Sequence, residues 1–213
     1  NLARGFYSCQ CAVSDPDAEN NPQSIAVNLY VNDIIHVPSD YSNIQEAINA
    51  AIHGDIIIVE PNIYHENINF LGKNITLTSI DPNDPVVVSE TVIKGDCGQP
   101  VVTFMGSEDK NCKLCGMTIT QNSEDPYICY DPNSGGIYGN GTYATILQCV
   151  VRDNMHFEDY EVGGGIYQCN GLIDQCKIIG NVSDEGGGIS DCHGTIRNCL
   201  ISGNAAYRGG GIN

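Results

Sequence analysis

One tetrapeptide returns at a fixed interval: Gly163-Gly164-Gly165-Ile166, Gly186-Gly187-Gly188-Ile189 and Gly209-Gly210-Gly211-Ile212 recur every 23 residues. The two complete units, 163–185 and 186–208, agree at the glycines, the Ile, two cysteines, a further Gly, an inner Ile and a Gly-Asn pair. A longer unit opens at Gly135-Gly136-Ile137 and runs on through Ile146, Cys149, Val151 and Asn154, with extra residues where the later units have short turns. Stacked repeats accept insertions at turns because each unit touches only its neighbours. Met117-Thr118-Ile119-Thr120-Gln121-Asn122 matches the same stretch, so Met117, Cys149, Cys176 and Cys199 form one column and Asn122, Asn154, Asn181 and Asn204 another.

A 23-residue unit of short Ile/Val/Leu runs broken by Gly, Asn and Asp is too short for two packed helices and too rich in β-branched residues for one. If each unit makes one turn of about three short strands, equivalent residues stack roughly 4.8 Å apart in parallel ladders. The fold predicted is all-β, a parallel β-helix with a core file of Ile and Cys. Asn suits the turn column because it tolerates the left-handed conformation and its amide can bond the Asn above and below. The triple Gly predicts a tight corner or bulge before an inward Ile.

Upstream the period loosens, and Asp55–Val59, Ile68–Phe70, Ile75–Thr78, Val86–Val88 and Val101–Phe104 read as strands of wider first coils. Ahead of them, apolar residues at 44, 47, 48, 51 and 52 lie on one helical face, with Ser42 at a capping position. A helix over about 42–53 is expected to cap the first coil. Residues 1–24, rich in Asn, Asp, Pro and Ser, read as an N-terminal extension or arm, and 25–213 as the β-helix domain. The chain stops as a new unit begins, so no C-terminal cap is expected, and a start at Asn1 reads as processed or trimmed.

Charge narrows the partners. With 9 Lys+Arg against 26 Asp+Glu the formal charge is −17, which repels a phosphate backbone or an anionic membrane surface. No apolar run reaches the roughly 18 residues of a membrane span. Nucleic acid and membrane insertion are therefore not expected. Eleven cysteines without a second C-x₂-C beside Cys112/Cys115 fit an oxidising compartment better than a zinc site, and place the protein outside the cell or at its surface.

The run Ile44-Gln45-Glu46-Ala47-Ile48, then Gly54 to Val59, Tyr64 to Ile68, Gly72 to Leu77 and Asp81-Pro82-Asn83-Asp84-Pro85, resembles the opening of secreted bacterial right-handed parallel β-helix repeat proteins of the pectin-lyase-like superfamily. The Gly-Gly-Gly-Ile and Cys-x-Ile-x-Gly-Asn units resemble their later coils, and the likeness covers about residues 30–213. It implies a right-handed β-helix. It implies no single activity, because that superfamily includes polysaccharide lyases and hydrolases, adhesins, and surface and fibre proteins.

Within residues 1–213 no pair of carboxylates of the glycosidase kind sits on a strand, and no Trp is present to build the lyase motif. Cys192-His193-Gly194 with Arg197 is reminiscent of polygalacturonase segments, but the aspartates they assist are missing, and His193 reads as a turn residue. His156, Glu158, Asp159 and Glu161, with Asp184 and Glu185 one coil on, are acids and imidazole that could hold Ca²⁺, though a solvated loop accounts for them as well. Tyr127, Tyr130, Tyr138, Tyr143, Tyr160, Tyr167 and Tyr207 are candidate platforms for a polysaccharide.

Cysteines fall in two columns, Cys169/Cys192 and Cys149/Cys176/Cys199. Either they pack as thiols, or Cys169 bonds Cys176 and Cys192 bonds Cys199; the odd total leaves at least one thiol unless a partner chain supplies another. Asn74, Asn140 and Asn181 head sequons and are candidate glycan acceptors. The function expected is a non-catalytic extracellular or cell-surface structural module that self-associates into a fibre or other assembly. The alternatives are a polysaccharide lyase or glycoside hydrolase, or a carbohydrate-binding adhesin.

Overall fold

A computed structural model describes residues 5–14, 17, 19, 23–96, 98–121, 135–156 and 163–213. Asn122, Tyr127, Tyr130, Glu158, Asp159, Tyr160 and Glu161 of the sequence reading lie outside the described residues.

The fold is mainly β with parallel sheets. An antiparallel ribbon of β1 (Gly5–Val13) and β2 (Gln23–Val31) comes first, and β2 runs across the boundary expected at 24/25. β3 (Ile34–Val37) and α1 (Ile44–Ala50) follow. The chain then runs in rounds: β4 (Ile56–Val59), β5 (Asn62–Tyr64) and β6 (Ile68–Asn69); β7 (Thr76–Ser79), α2 (Pro85–Glu90), β8 (Thr91–Gly95) and β9 (Val102–Thr103). Next come β10 (Lys113–Cys115), β11 (Thr118–Gln121) and β12 (Ile137–Tyr138), then β13 (Thr145–Leu147), β14 (Val150–Arg152) and β15 (Ile166–Tyr167). The last rounds are β16 (Leu172–Asp174), β17 (Lys177–Ile179), β18 (Val182–Glu185) and β19 (Ile189–Ser190), then β20 (Thr195–Arg197), β21 (Leu200–Ser202) and β22 (Ala205–Arg208).

The rounds from β4 to β19 each contribute one strand to each of three sheets, in the same order, while the opening round adds β3 alone and the last β20 and β21. The first sheet stacks β3-β4-β7-β10-β13-β16-β20, the second β5-β8-β11-β14-β17-β21 and the third β6-β9-β12-β15-β19. All of these pairings are parallel. Because side chains alternate along a strand, a fixed register sends one column per sheet inward. The first sheet's column is Ile35, Ile57, Leu77, Leu114, Ile146 and Ile173. The second sheet supplies Tyr64, Ile93, Ile119, Val151 and Ile178, and the third Ile68, Val102, Ile137, Ile166 and Ile189, with Ile212 bridged to Ile189. Apart from Ile212, these residues are buried in a single cluster, each burial worth about 1.5–3 kcal/mol.

The first and second sheets are joined by two-residue corners, Gly116-Met117, Gln148-Cys149, Gln175-Cys176 and Asn198-Cys199. The first residue of each is left-handed, with φ of 64°, 55°, 55° and 53°. The second points inward, which makes the expected Met117/Cys149/Cys176 column fully buried, with Cys199 packed on its end. A second left-handed column, Asp153, Gly180 and Gly203 (φ 54°, 68° and 66°), lies one residue before Asn154, Asn181 and Asn204. The asparagines are thus not the left-handed residues the sequence suggested. Their amides form the ladder: Asn154 Nδ2 donates to Asn181 Oδ1 at 2.9 Å and Asn181 Nδ2 to Asn204 Oδ1 at 3.0 Å.

In the opening round α1 stands where strands of the second and third sheets would lie, burying Ile44, Ala47 and Ile48. It is shorter than the expected 42–53, and Asn43 rather than Ser42 caps it, accepting from Glu46 N at 2.8 Å. Residues of the next round tie both ends. Glu66 accepts from the amides of Ile44 and Gln45 at 2.8 and 2.9 Å, and Lys73 Nζ donates to the Ile48 and Asn49 carbonyls at 2.8 and 2.9 Å. A negative group at the amino end and a positive one at the carboxyl end match the helix dipole.

Val86–Val88 is helical rather than a strand. Asp84 accepts from Val86 N at 2.8 Å and Pro85 takes the first helical position, and these start signals outweigh the β-branched run. Asp84→Ala is expected to lower stability by about 1 kcal/mol in urea denaturation, with Asn83→Ala, outside the cap, as the comparison.

Candidate functional site

The outward face of the third sheet carries the richest cluster of recognition groups. Tyr138 and Tyr167 occupy one register position on adjacent strands β12 and β15, and their rings stack with centroids 5.8 Å apart at 16°. Gln168, one residue on, donates its amide to Tyr167 Oη at 2.9 Å and to Asp191 Oδ2 at 2.8 Å in the following round. His193 Nδ1 lies 3.6 Å from Asp191 Oδ1, and Tyr138 Oη meets Asn140 Oδ1 at 3.3 Å. Asp191 and His193 also line an open cleft of about 400 Å³ with Glu185, Ser190, Cys192 and Asn213. The strip offers aromatic rings beside amide, carboxylate and imidazole groups, which can pack on and hydrogen-bond a hydroxyl-rich ligand.

The cysteines stack between rounds. Cys169, Cys176, Cys192 and Cys199 are free thiols, and the neighbour across the ladder is the cysteine one round away: the Cys169 amide donates to Cys192 Sγ at 3.2 Å. Of the two alternatives read from the sequence, packed thiols or Cys169–Cys176 and Cys192–Cys199 bridges, the structure has the thiols. Burial pushes the Cys112 thiol up to about 12 and Cys115 up to about 11. Cys176 and Cys199 are raised too, chiefly by hydrogen bonds within their column, and a thiol held protonated is a poor nucleophile. Cys192 is lowered, because the Cys169 side chain donates to it, while Cys169 keeps its proton and is raised.

Of the three sequon asparagines, Asn140 is exposed in a left-handed turn (φ 52°). Asn74 is half-buried beside a second cleft, its Oδ1 accepting from Asp109 N at 2.9 Å. Asn181 is fully buried and its Nδ2 is committed to Val151 O and Asn204 Oδ1, so the folded ladder leaves no acceptor nitrogen for a glycan there.

Among the acids proposed for Ca²⁺, Glu185 pairs with Arg208 at 3.0 Å. Among the described residues no group of three or more His, Cys, Asp or Glu side chains is arranged to hold a metal ion. Among those residues, too, no helix is long and apolar enough to cross a membrane.

Arg197, noted beside His193 in the sequence, instead grips Asp174 of the previous round through Nε and Nη2 at 2.9 and 2.8 Å, while Asn198 Nδ2 donates to the other carboxylate oxygen at 2.9 Å. These bonds, Arg197's first, hold the Asp174 carboxyl below the usual range. A depressed carboxylate stabilises the fold above the pKa of the unfolded chain, and that contribution is lost as pH falls through the folded value. Arg197→Gln is expected to move the Asp174 midpoint upward, as followed by the carboxyl carbon shift in NMR.

Buried acids that hold loops escaped the sequence reading. Asp55 accepts from the amides of Asp33 and Ile52 at 2.9 and 2.8 Å, and Glu108 from those of Gly72 and Met105 at 3.0 and 2.9 Å. No spacing marks them, since their partners lie a whole round away or in an irregular turn. Comparison of the chain with protein-family models, with curated proteins and with solved structures gives no match.

Proposed function

We propose that the three parallel sheets are the faces of a right-handed parallel β-helix, and that the chain is a non-catalytic structural module outside the cell or on its surface, a subunit of a fibre or other assembly. The cyclic order of the sheets supports the fold, and the handedness rests on the rule that parallel strands of one sheet are connected right-handedly. The observation that carries the function is how the repeat is used. In every full round the periodic positions go to three apolar columns, and in the later rounds to an amide ladder too, so the regularity of the sequence serves stiffness along one axis. The cysteine content supports an extracellular location.

Incubation of the full chain with acidic polysaccharides, with and without Ca²⁺, is expected to leave chain length unchanged by size-exclusion chromatography. Cleavage would overturn the reading in favour of a lyase or hydrolase. Electron microscopy is expected to reveal assemblies, and monomers alone would remove the assembly part. The stacked Tyr138/Tyr167 strip favours a second reading, a carbohydrate-binding adhesin, which requires glycan-array binding without turnover that Tyr138→Ala and Tyr167→Ala abolish.

A further inference from the structure

The ribbon β1–β2 differs in kind from the rest of the chain. Its 18 residues, Gly5–Val13 and Gln23–Val31, contain no Asp, Glu, Lys or Arg, in a protein whose formal charge is −17. Its register pairs Tyr7 with Leu29, Cys9 with Val27 and Cys11 with Ile25, so these six side chains share one face. Ser8, Gln10, Ser24 and Asn28 belong to the other. Val13, Ile25, Val27 and Leu29 are 56%, 53%, 44% and 47% exposed, which leaves the apolar face uncovered. A two-stranded ribbon is marginal in water until such a face is packed.

Three observations select the occupant. An acidic body would draw a basic partner to its charged surfaces, whereas an uncharged face is where two copies of an acidic chain meet with least repulsion. An apolar face without charges can also meet its own copy, as a two-fold interface requires. Cys9 and Cys11 stand exposed at its centre, their sulfurs 4.0 Å apart, in a chain of eleven cysteines that cannot all pair internally.

We infer that two copies of this chain pack ribbon against ribbon through the Val27/Ile25/Leu29 face, and that Cys9 and Cys11 tie the pair covalently across the two-fold axis. Each bridge joins one thiol from each copy. With a small disulfide as oxidant, a thiolate of one copy attacks it and releases one thiol. The facing thiolate then displaces the second, so that two protons and two electrons leave the protein for each sulfur–sulfur bond formed. The inference rests on the assembly reading above but names its surface.

The test uses the full chain. Under reducing conditions, light scattering coupled to size exclusion is expected to give a dimer at protein concentrations below about 100 µM. Val27→Asp, which places a carboxylate from each copy in the contact, is expected to weaken it at least about 100-fold with unchanged far-UV circular dichroism. Cys9→Ser/Cys11→Ser is expected to keep the reduced dimer and lose the band that oxidised glutathione produces on non-reducing gels. A reduced wild-type monomer, a dimer indifferent to Val27→Asp, or a cross-link mapped to other cysteines or within one chain would each overturn the inference. Assemblies that survive Val27→Asp would leave the structural reading standing and remove the ribbon from it. Polysaccharide cleavage by a ribbon-linked dimer would do the reverse.

Discussion

Asn181→Ala is expected to cost about 3 kcal/mol of folding free energy. The Asn181 side chain is fully buried and makes four hydrogen bonds: its Oδ1 accepts from Asn154 N and Nδ2 at 3.1 and 2.9 Å, and its Nδ2 donates to Val151 O and Asn204 Oδ1, both at 3.0 Å. Asn154 Nδ2 retains Ile119 O, and Asn204 Oδ1 retains the Asn181 amide, so those two groups keep a partner. The Val151 carbonyl keeps its place in the β14/β17 ladder, so only the Asn154 amide is left unpaired. One buried backbone group without a partner costs about 1–3 kcal/mol, and the cavity left by the amide adds to the loss. Asn204, partly exposed, lets water replace its amide, and Asn204→Ala is expected to cost about half as much. Urea midpoints of the two variants measure the difference. A loss below about 1 kcal/mol for Asn181→Ala would mean that the ladder contributes little to stability.

Gly165→Ala is expected to be at least as damaging. A Cβ there would lie 2.4 Å from the Gly188 carbonyl oxygen and 3.0 Å from Asn181 Nδ2. That carbonyl cannot step aside, because it accepts the Ile166 amide at 2.9 Å in the bond joining the two rounds. The methyl group must therefore wedge the rounds apart beside both the third-sheet ladder and the amide ladder, at a cost of about 4 kcal/mol or more. At Gly211 the nearest atom to an added Cβ is Ile201 Cγ2 at 3.7 Å, an ordinary contact, and Gly211→Ala is expected to cost less than about 1 kcal/mol. Equal losses at the two positions in thermal or urea unfolding would show that rounds yield to a methyl group, against the close backbone approach described here.

That approach also explains why the triple glycine was so legible. The motif was expected to mark a tight corner; its middle and last residues serve chiefly to let backbones of successive rounds lie against each other, as at Gly164, Gly187 and Gly188, where a Cβ would meet carbonyl oxygens at 2.5, 2.3 and 2.4 Å. Columns that repeat in space had to repeat in sequence, so Ile166/Ile189, Met117/Cys149/Cys176 and Asn154/Asn181 could be aligned by spacing alone. Where a residue acts once, spacing is silent. The helical Val86–Val88 depends on Asp84 and Pro85 just before it, and a run of three valines hid that signal. The left-handed corners at Gln148, Gln175 and Asn198 have no glycine to announce them, since the fixed two-residue connection imposes the conformation from both sides. At the candidate site the tyrosines were visible, but the bonds from Gln168 to Tyr167 and Asp191 were not, because they become neighbours only once the register is known.

The connections between sheets are unequal in a way that assigns separate evolutionary freedoms to separate edges. Where the first sheet passes to the second, the four later corners are held at two residues. From the second sheet to the third, the chain goes from Gly95 to Val102, Gln121 to Ile137, Arg152 to Ile166 and Ile179 to Ile189, four connections of four different lengths. Extra residues placed there outside the amide ladder and the β18/β22 pair leave the three apolar columns in register, and closing a longer loop adds only about 0.6 kcal/mol per doubling. New surface can therefore be grown there while the opposite margin keeps the strands of successive rounds aligned.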